Sequence, residues 1–269
     1  MGFKCQGKNQ FLSFLELNQF LIEINERIYD NLKWDGEMDI DLNTEFKKFL
    51  EIHKKDSFLK LSLFLNEFRK VYERNKIAYY QQEGFSIEEA QRKSRNSWVA
   101  YVGNRLENLI ILFLENCCKK YRLKIIKGNI LKRAKLNKEL STVRRLIEVH
   151  FNEYSLLPDA DIIIYKNDER ETKIIAVISV KNSFRERYTE TPYWKLKLMQ
   201  DEVTRPIKVF MVTPDNDDEI SFVNRGQPRQ PRIVMEYELD SIYLAREKFD
   251  PSEKVKGLDQ LIEDLEQLI

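Results

Sequence analysis

Two apolar runs joined by a charged turn constrain this chain more than any other feature. Asp161-Ile162-Ile163-Ile164-Tyr165 opens on an acid, and Ile174-Ile175-Ala176-Val177-Ile178-Ser179-Val180-Lys181 closes on a lysine. Both read as strands, and the polar stretch from Lys166 to Glu171 makes a hairpin the natural connection. Adjacent strands of this kind present the acid and the lysine at one sheet edge. A carboxylate that can hold a divalent cation, beside an ammonium that can orient or deprotonate water, is what hydrolysis of a phosphodiester requires. The plain alternative is an amphipathic hairpin whose flanking charges are solvated strand ends. Lys181 weighs against it, because an ammonium directly after the run Ile174 to Val180 is costly to desolvate unless an acid or a phosphate lies beside it.

The next segment, Asn182-Ser183-Phe184-Arg185-Glu186-Arg187, sets two guanidiniums and a carboxylate in one short loop. Arg185 and Arg187 suit bidentate bonds to guanine O6 and N7, and Glu186 can accept from cytosine N4. The loop is therefore a candidate reader of adjacent G·C pairs from the major groove. Its alternative is an exposed loop with a local ion pair. Arg225, in the turn Asn224-Arg225-Gly226-Gln227-Pro228-Arg229, is a further candidate DNA contact, with Arg229 beside it.

The acid-strand-turn-strand-lysine pattern resembles the PD-(D/E)xK nuclease superfamily. Within it, Ser179-Val180-Lys181 and the residues through Arg187 are similar to type II restriction endonucleases of the BsaWI/AgeI branch, which reads CCGG-type sites. Ser97-Trp98, Gly103 and Glu107 resemble the helix on which that branch carries an extra catalytic carboxylate, and Val223-Asn224-Arg225-Gly226 resembles a loop that follows its catalytic core. The sequence departs from the superfamily pattern at Ser179, where Asp or Glu is usual, and a hydroxyl is a poor ligand for a hard cation. The resemblance moves the missing charge to Glu107, with Glu190 as a second candidate. It implies Asp161, Lys181, Glu107 and Glu190 as the catalytic set, Mg2+ held by Asp161, Glu107 and the backbone carbonyl of Val180, and double-stranded DNA cut at a short palindromic G/C-containing site. It further implies a homodimer in which each subunit cuts one strand, and functional pairing with a DNA methyltransferase. Two rival readings use the same residues: a structure-selective repair or junction nuclease, and a DNA-binding module without chemistry, which Ser179 would favour.

Composition bounds these readings. A chain of 269 residues has room for one large domain or two small ones. No apolar run approaches the ~18 residues of a membrane span, and Met1-Gly2-Phe3-Lys4-Cys5 has no hydrophobic signal core, so a cytoplasmic location without a membrane partner is expected. Three cysteines and the distant His53 and His150 offer neither a disulfide framework nor zinc spacing. The net charge of +1 hides an uneven distribution, since Lys119 to Arg145 holds eleven Lys or Arg against one acid, Glu139. Such a block can neutralise phosphates, or it can be a solvated helix and loop surface.

Helical periodicity covers Phe11 to Ile24, begins again at Phe46, Phe49 and Leu50, and continues over Phe58 to Tyr80. Ser86 and Glu89 form a capping-box signature for a helix that is expected to break near Asn96 and resume from Ser97 to Lys120. A strand pair or strand-turn is expected from Leu123 to Leu131 around Gly128, a helix over Leu136 to Val149 and another over Tyr193 to Met199, with Tyr193 and Trp194 as core aromatics. Ile207 to Val212 and Arg232 to Tyr237 read as strands, and Leu239 to Phe249 and Leu258 to Ile269 as closing helices. The expected class is α/β: a PD-(D/E)xK restriction-endonuclease-like core over 96–269 with a mixed central sheet flanked by helices. A helical N-terminal region over 1–95 would serve DNA contact or dimerisation.

Overall fold

The strand from Thr172 to Val180 is buried along its last seven positions with no alternation, the mark of a strand covered on both faces. It lies inside a six-stranded sheet. The computed structural model describes residues 41–53, 57–168, 171–184 and 188–269. The helix read over Phe11 to Ile24 and the loop residues Arg185, Glu186 and Arg187 lie outside the described residues.

In chain order the elements are helices α1 (Leu42–His53), α2 (Leu61–Gln82) and α3 (Ile87–Lys120), strand β1 (Lys124–Lys127), a 3-10 turn (Gly128–Lys132) and helix α4 (Lys138–Ile147). Strands β2 (Val149–Phe151), β3 (Tyr154–Leu156), β4 (Ile162–Asn167) and β5 (Thr172–Val180) follow, then helix α5 (Glu190–Leu198) and β6 (Lys208–Thr213). The chain continues through β7 (Val223–Asn224), β8 (Gln227–Pro228), helix α6 (Gln230–Glu238), β9 (Ser241–Leu244), β10 (Val255–Gly257) and helix α7 (Gln260–Glu266).

Among the described residues, those up to Ser57 together with Leu63–Arg105 form one compact unit, and Phe58–Ser62 with Leu106–Ile269 form the other. The first unit is helical and its core is aromatic. Phe64 lies 5.2 Å from both Phe46 and Phe49, and Trp98 lies 5.4 Å from Tyr72, whose hydroxyl bonds Ser97 Oγ at 2.6 Å. Each such ring pair adds about 0.5–1.5 kcal/mol beyond its area. The capping box is present, with the Glu89 N–H donating to Ser86 Oγ at 3.3 Å and the Ser86 N–H to Glu89 Oε2 at 3.2 Å.

In the second unit the sheet order is β1-β4-β5-β6-β9-β10. β1 and β5 flank β4 antiparallel, whereas β5, β6, β9 and β10 run parallel, so the sheet is mixed as expected. One core includes Ile163, Val177, Val209, Met211, Ile242 and Leu244 with Val143 and Ile147 of α4 and Met235 of α6. Among the described residues no helix is long and apolar enough to cross a membrane.

Several sequence expectations are corrected. α3 does not break near Asn96: the buried stripe Ala90, Ser94, Trp98, Val102, Leu106, Ile110 and Leu114 keeps helical spacing through it, and no proline or cap interrupts the ladder. Arg232 to Tyr237 is helical because Pro231 pre-sets the first turn of α6, and the buried Arg232 and Met235 share a face despite the β-branched pair between them. Ser241 to Leu244, read as part of a helix, is a strand buried at all four positions between β6 and β10, where burial on both faces erases the alternation that marks a strand. Tyr193 is 45% exposed, whereas Trp194 is half-buried against the core.

Candidate active site

Hairpin register builds the site. β4 opposes β5 with Ile162 against Ile178, so Asp161, one residue ahead of β4, falls beside the end of β5. The Asp161 N–H donates to the Ile178 carbonyl at 3.1 Å. Its Oδ2 accepts from the Val180 N–H at 2.6 Å, from Ser179 Oγ at 3.4 Å and from Lys181 Nζ at 3.5 Å. The same ammonium lies 3.5 Å from Asp159 Oδ2. The Lys181 side chain is only 15% exposed, and two carboxylates offset its desolvation.

Glu107 arrives from α3. Its Oε2 meets Lys127 Nζ at 3.0 Å, and Lys127 sits at the end of β1 opposite Ile162. Burial pushes the Glu107 carboxyl above its ordinary range, further than the Lys127 hydrogen bond and charge pull it down. The charge on Asp161 adds to the rise and Lys181 opposes it, so the three groups lie within electrostatic reach of one another. Gly128 makes this packing possible. Its N–H donates to the Asp161 carbonyl at 2.9 Å, and a Cβ there would stand 1.8 Å from the Ala160 carbonyl oxygen. Only glycine lets the end of β1 press so closely on the Asp159–Asp161 turn.

The donors are all oxygens, as a hard cation prefers. Among the described residues no three carboxylate, imidazole or thiolate side chains converge on one point. Magnesium sites built from one or two carboxylates with the rest of the shell in water have this sparse character. A cation here would also bring down the raised Glu107 carboxyl. The residues present therefore fit such an ion.

Other candidates are placed differently. Glu190 stands in the first turn of α5 with its Oε2 buried and without a hydrogen-bond partner, and among the described residues no hydrogen bond or ion pair joins it to Asp161, Glu107 or Lys181. Arg225 is exposed at the tip of the β7–β8 hairpin, at φ +51°, followed by Gly226 at +78°. That backbone matches the twist of a two-residue hairpin but strains a side chain at Arg225. Arg229 is committed to Glu219 at 2.7 Å. The basic block is partly neutralised by its own acid and by acids outside it: Lys124 holds Glu139 at 2.7 Å, Arg144 holds Glu148 at 2.8 Å, and Lys127 and Lys132 turn to Glu107 and Asp159. Asp159 and Lys127 were not singled out from the sequence. The hairpin register could have found Asp159, two residues from Asp161, but no local signal marks Lys127.

Residues 136–265 match the family described as BsaWI restriction endonuclease type 2. MjaVIP of Methanocaldococcus jannaschii is 46% identical over 206 residues, covering 76% of this chain and 91% of the relative. HpyAORF263P of Helicobacter pylori is 46% identical over 180 residues, covering 67% and 92%. Both relatives carry the names of type II restriction enzymes. The fold is shared with the restriction endonuclease PspGI, solved as a complex with substrate DNA, at 15% identity and a TM-score of 0.50 over 86% of this chain and 93% of that one. Identity at this level over nearly the whole length of two relatives assigns the chain to the type II restriction endonucleases.

Proposed function

We propose that this restriction endonuclease makes Mg2+-dependent double-strand breaks at a short palindromic G/C-containing site with a CCGG-like core. The observation that carries the catalytic assignment is the Asp161 carboxylate held by the Val180 N–H at 2.6 Å, with the Lys181 ammonium at 3.5 Å and Glu107 within its field. In this reading Asp161, Glu107 and the Val180 carbonyl hold the ion, and Glu190 supplies a further carboxylate. The ion, when bound, contributes positive charge at the scissile phosphate. Lys181 orients the attacking water and Asp159 holds the ammonium in place. The water oxygen bonds to phosphorus as the P–O bond to the leaving sugar oxygen breaks; the water's proton passes to a neighbouring base or to solvent, and the leaving oxygen takes one up from solvent.

Specificity rests on Arg185, Glu186 and Arg187 reading G·C pairs, with Arg225 reaching DNA from its hairpin tip. A homodimer matches a two-fold site. The exposed apolar side chains Tyr193 and Leu196 on α5 and Ile233 and Tyr237 on α6 support such an assembly, because the two helices pack side by side. Residues 96–269 form the catalytic region and 1–95 contact DNA or the second subunit. The enzyme works in the cytoplasm, where a partner methyltransferase protects host sites.

The test is incubation of the purified protein with unmethylated genomic DNA and Mg2+, followed by sequencing of the ends, with Lys181→Ala alongside. Discrete fragments that share a palindromic end sequence, absent with the variant, are expected. Cleavage only of branched substrates would replace this reading with a junction nuclease, and intact DNA in every metal would replace it with a binding module.

A further inference from the structure

Lys181 is the first residue beyond β5, so the sheet fixes its amide but not its direction. Its N–H donates to the Val212 carbonyl at 3.1 Å, and no β5 ladder continues past it. The chain just beyond Lys181 is tied to one loop, the segment between β6 and α6. The Asn216 N–H donates to the Asn182 carbonyl at 3.4 Å, and Asn216 Nδ2 donates to Asn182 Oδ1 at 2.9 Å. Asn216 Oδ1 in turn accepts from Ser62 Oγ at 2.9 Å, so both ends of its amide are used. One residue on, Asp217 Oδ2 accepts from the Phe184 N–H at 2.9 Å, and the Phe184 side chain is buried in the sheet core.

The loop that makes these bonds is itself rigid. Asp215 is fully buried at φ +48°, and its carboxylate accepts from the N–H groups of Glu219, Ile220 and Ser221 at 2.7–3.0 Å and from Ser221 Oγ at 2.5 Å. Arg246 adds a bond to the Asp215 carbonyl at 3.0 Å. A buried carboxylate with four donors, on a residue in the left-handed region, is an expensive way to shape a surface turn unless what the turn holds must stay still.

We propose that Asn216 is a positioning residue for the cleavage reaction: by clamping Asn182 it aims the preceding Lys181 at the Asp159–Asp161 carboxylates. This rests on the catalytic reading of Lys181 above. Misplacement of a reacting group by about 1 Å can cost up to ~100-fold in rate. The amide pair touches neither Asp161 nor Glu107, and Asp217 still anchors Phe184 ahead of Arg185 to Arg187, so its loss acts mainly on the rate of the bound complex.

The test is a double-mutant cycle of Asn182→Ala, Asn216→Ala and the double variant, read as the single-turnover cleavage rate of saturated enzyme and, separately, as DNA affinity in Ca2+. Each single variant is expected to lower the rate constant about 10- to 100-fold with affinity within about threefold of wild type, and the double variant to lose no more than either single. Ser62→Ala, which removes only the outer donor, should show a smaller loss of the same kind. Equal rate constants for wild type and Asn216→Ala, additive losses in the cycle, or a loss confined to affinity would each overturn the proposal. Should Asn216→Ala fold poorly, a Ser62→Ala rate constant equal to wild type overturns it instead. Wild type that leaves all DNA intact overturns the endonuclease reading and this inference together, whereas wild type that cuts beside equally active variants overturns the inference alone.

Discussion

The second unit holds two clusters of acid and lysine, and they differ in a way that separates structure from chemistry. Asp240, one residue ahead of β9, holds Lys195 at 2.6 Å and Lys208 at 3.1 Å, and also accepts from the Val209 N–H at 2.8 Å. Burial pushes its carboxyl up, but the Lys195 and Val209 hydrogen bonds outweigh that and carry it below the ordinary aspartate range. Around Lys181 the distances are longer, 3.5 Å to each of two carboxylates, and the nearby Glu107 sits above the ordinary range. In the first cluster short bonds lock the charge in place. In the second, Asp159, Asp161 and Glu107 are matched by Lys181, Lys127 and Lys132, but the Lys181 contacts are long and burial still holds Glu107 above its ordinary range, a perturbation that a functional site tolerates and a structural ion pair does not need.

Breaking each cluster should therefore have opposite signatures. Lys181→Ala and Asp161→Ala should lower cleavage about a thousandfold or more while the thermal midpoint stays within a few degrees of wild type, read by a plasmid assay beside a melting curve. Nicking at the wild-type rate by both variants would remove these residues from the chemistry. Asp240→Ala should do the reverse, costing about 3–5 kcal/mol in denaturant titration because Lys195 is left buried and unpaired, with an unchanged rate constant for the folded fraction.

Gly128→Ala should disturb the second cluster through the backbone. The added methyl meets the Ala160 carbonyl, so a destabilisation of about 1–3 kcal/mol is expected together with slowed cleavage as Asp161 shifts. Unchanged cleavage in the folded protein would mean that the turn tolerates the shift.

The pH dependences should also part. Without metal Glu107 is raised, so it takes up a proton above the ordinary glutamate value of 4.5, and Mg2+ affinity measured by titration should fall as the pH drops through that higher window. For stability the sign is opposite: its charged form is disfavoured in the folded protein, a cost that is relieved as the pH falls through the raised value. Lys127→Met removes the partner that lowers it and should move the acid limb of the Mg2+-affinity profile to higher pH. A limb that stays put would exclude Glu107 as its origin. Asp240 is lowered, so its stabilisation is present above the ordinary aspartate range and is lost as the pH falls through its lower folded value. The stability curves of wild type and Asp240→Asn should accordingly converge at low pH.

How much of this was legible in the sequence varied with the range of the interaction that decides each element. The β4–β5 hairpin, the capping box at Ser86 and Glu89, and the meeting of Asp161 with Lys181 follow from neighbours in sequence, because a hairpin's register is a local property. Arg232 to Tyr237 reads as a strand from its β-branched pair Ile233-Val234, although Pro231 starts a helix with one buried face there, and Ser241 to Leu244 reads as helix because burial on both faces of β9 erases the alternation of a strand. The continuity of α3 was hidden by a polar stretch whose buried face shows only when Ser94 and Trp98 are counted together.

The sequence by itself determined a mixed α/β chain with an acid and a lysine at one end of a hairpin, since strand pairing across a short turn leaves those two residues nowhere else to go. Only the tertiary structure decided that Lys127 guards Glu107, that Asp159 shares the ammonium of Lys181, and that Asn216 holds the chain behind it. Those partners lie on separate elements, and their approach depends on backbone packing such as that of Gly128 against Ala160, for which a linear pattern carries no signal.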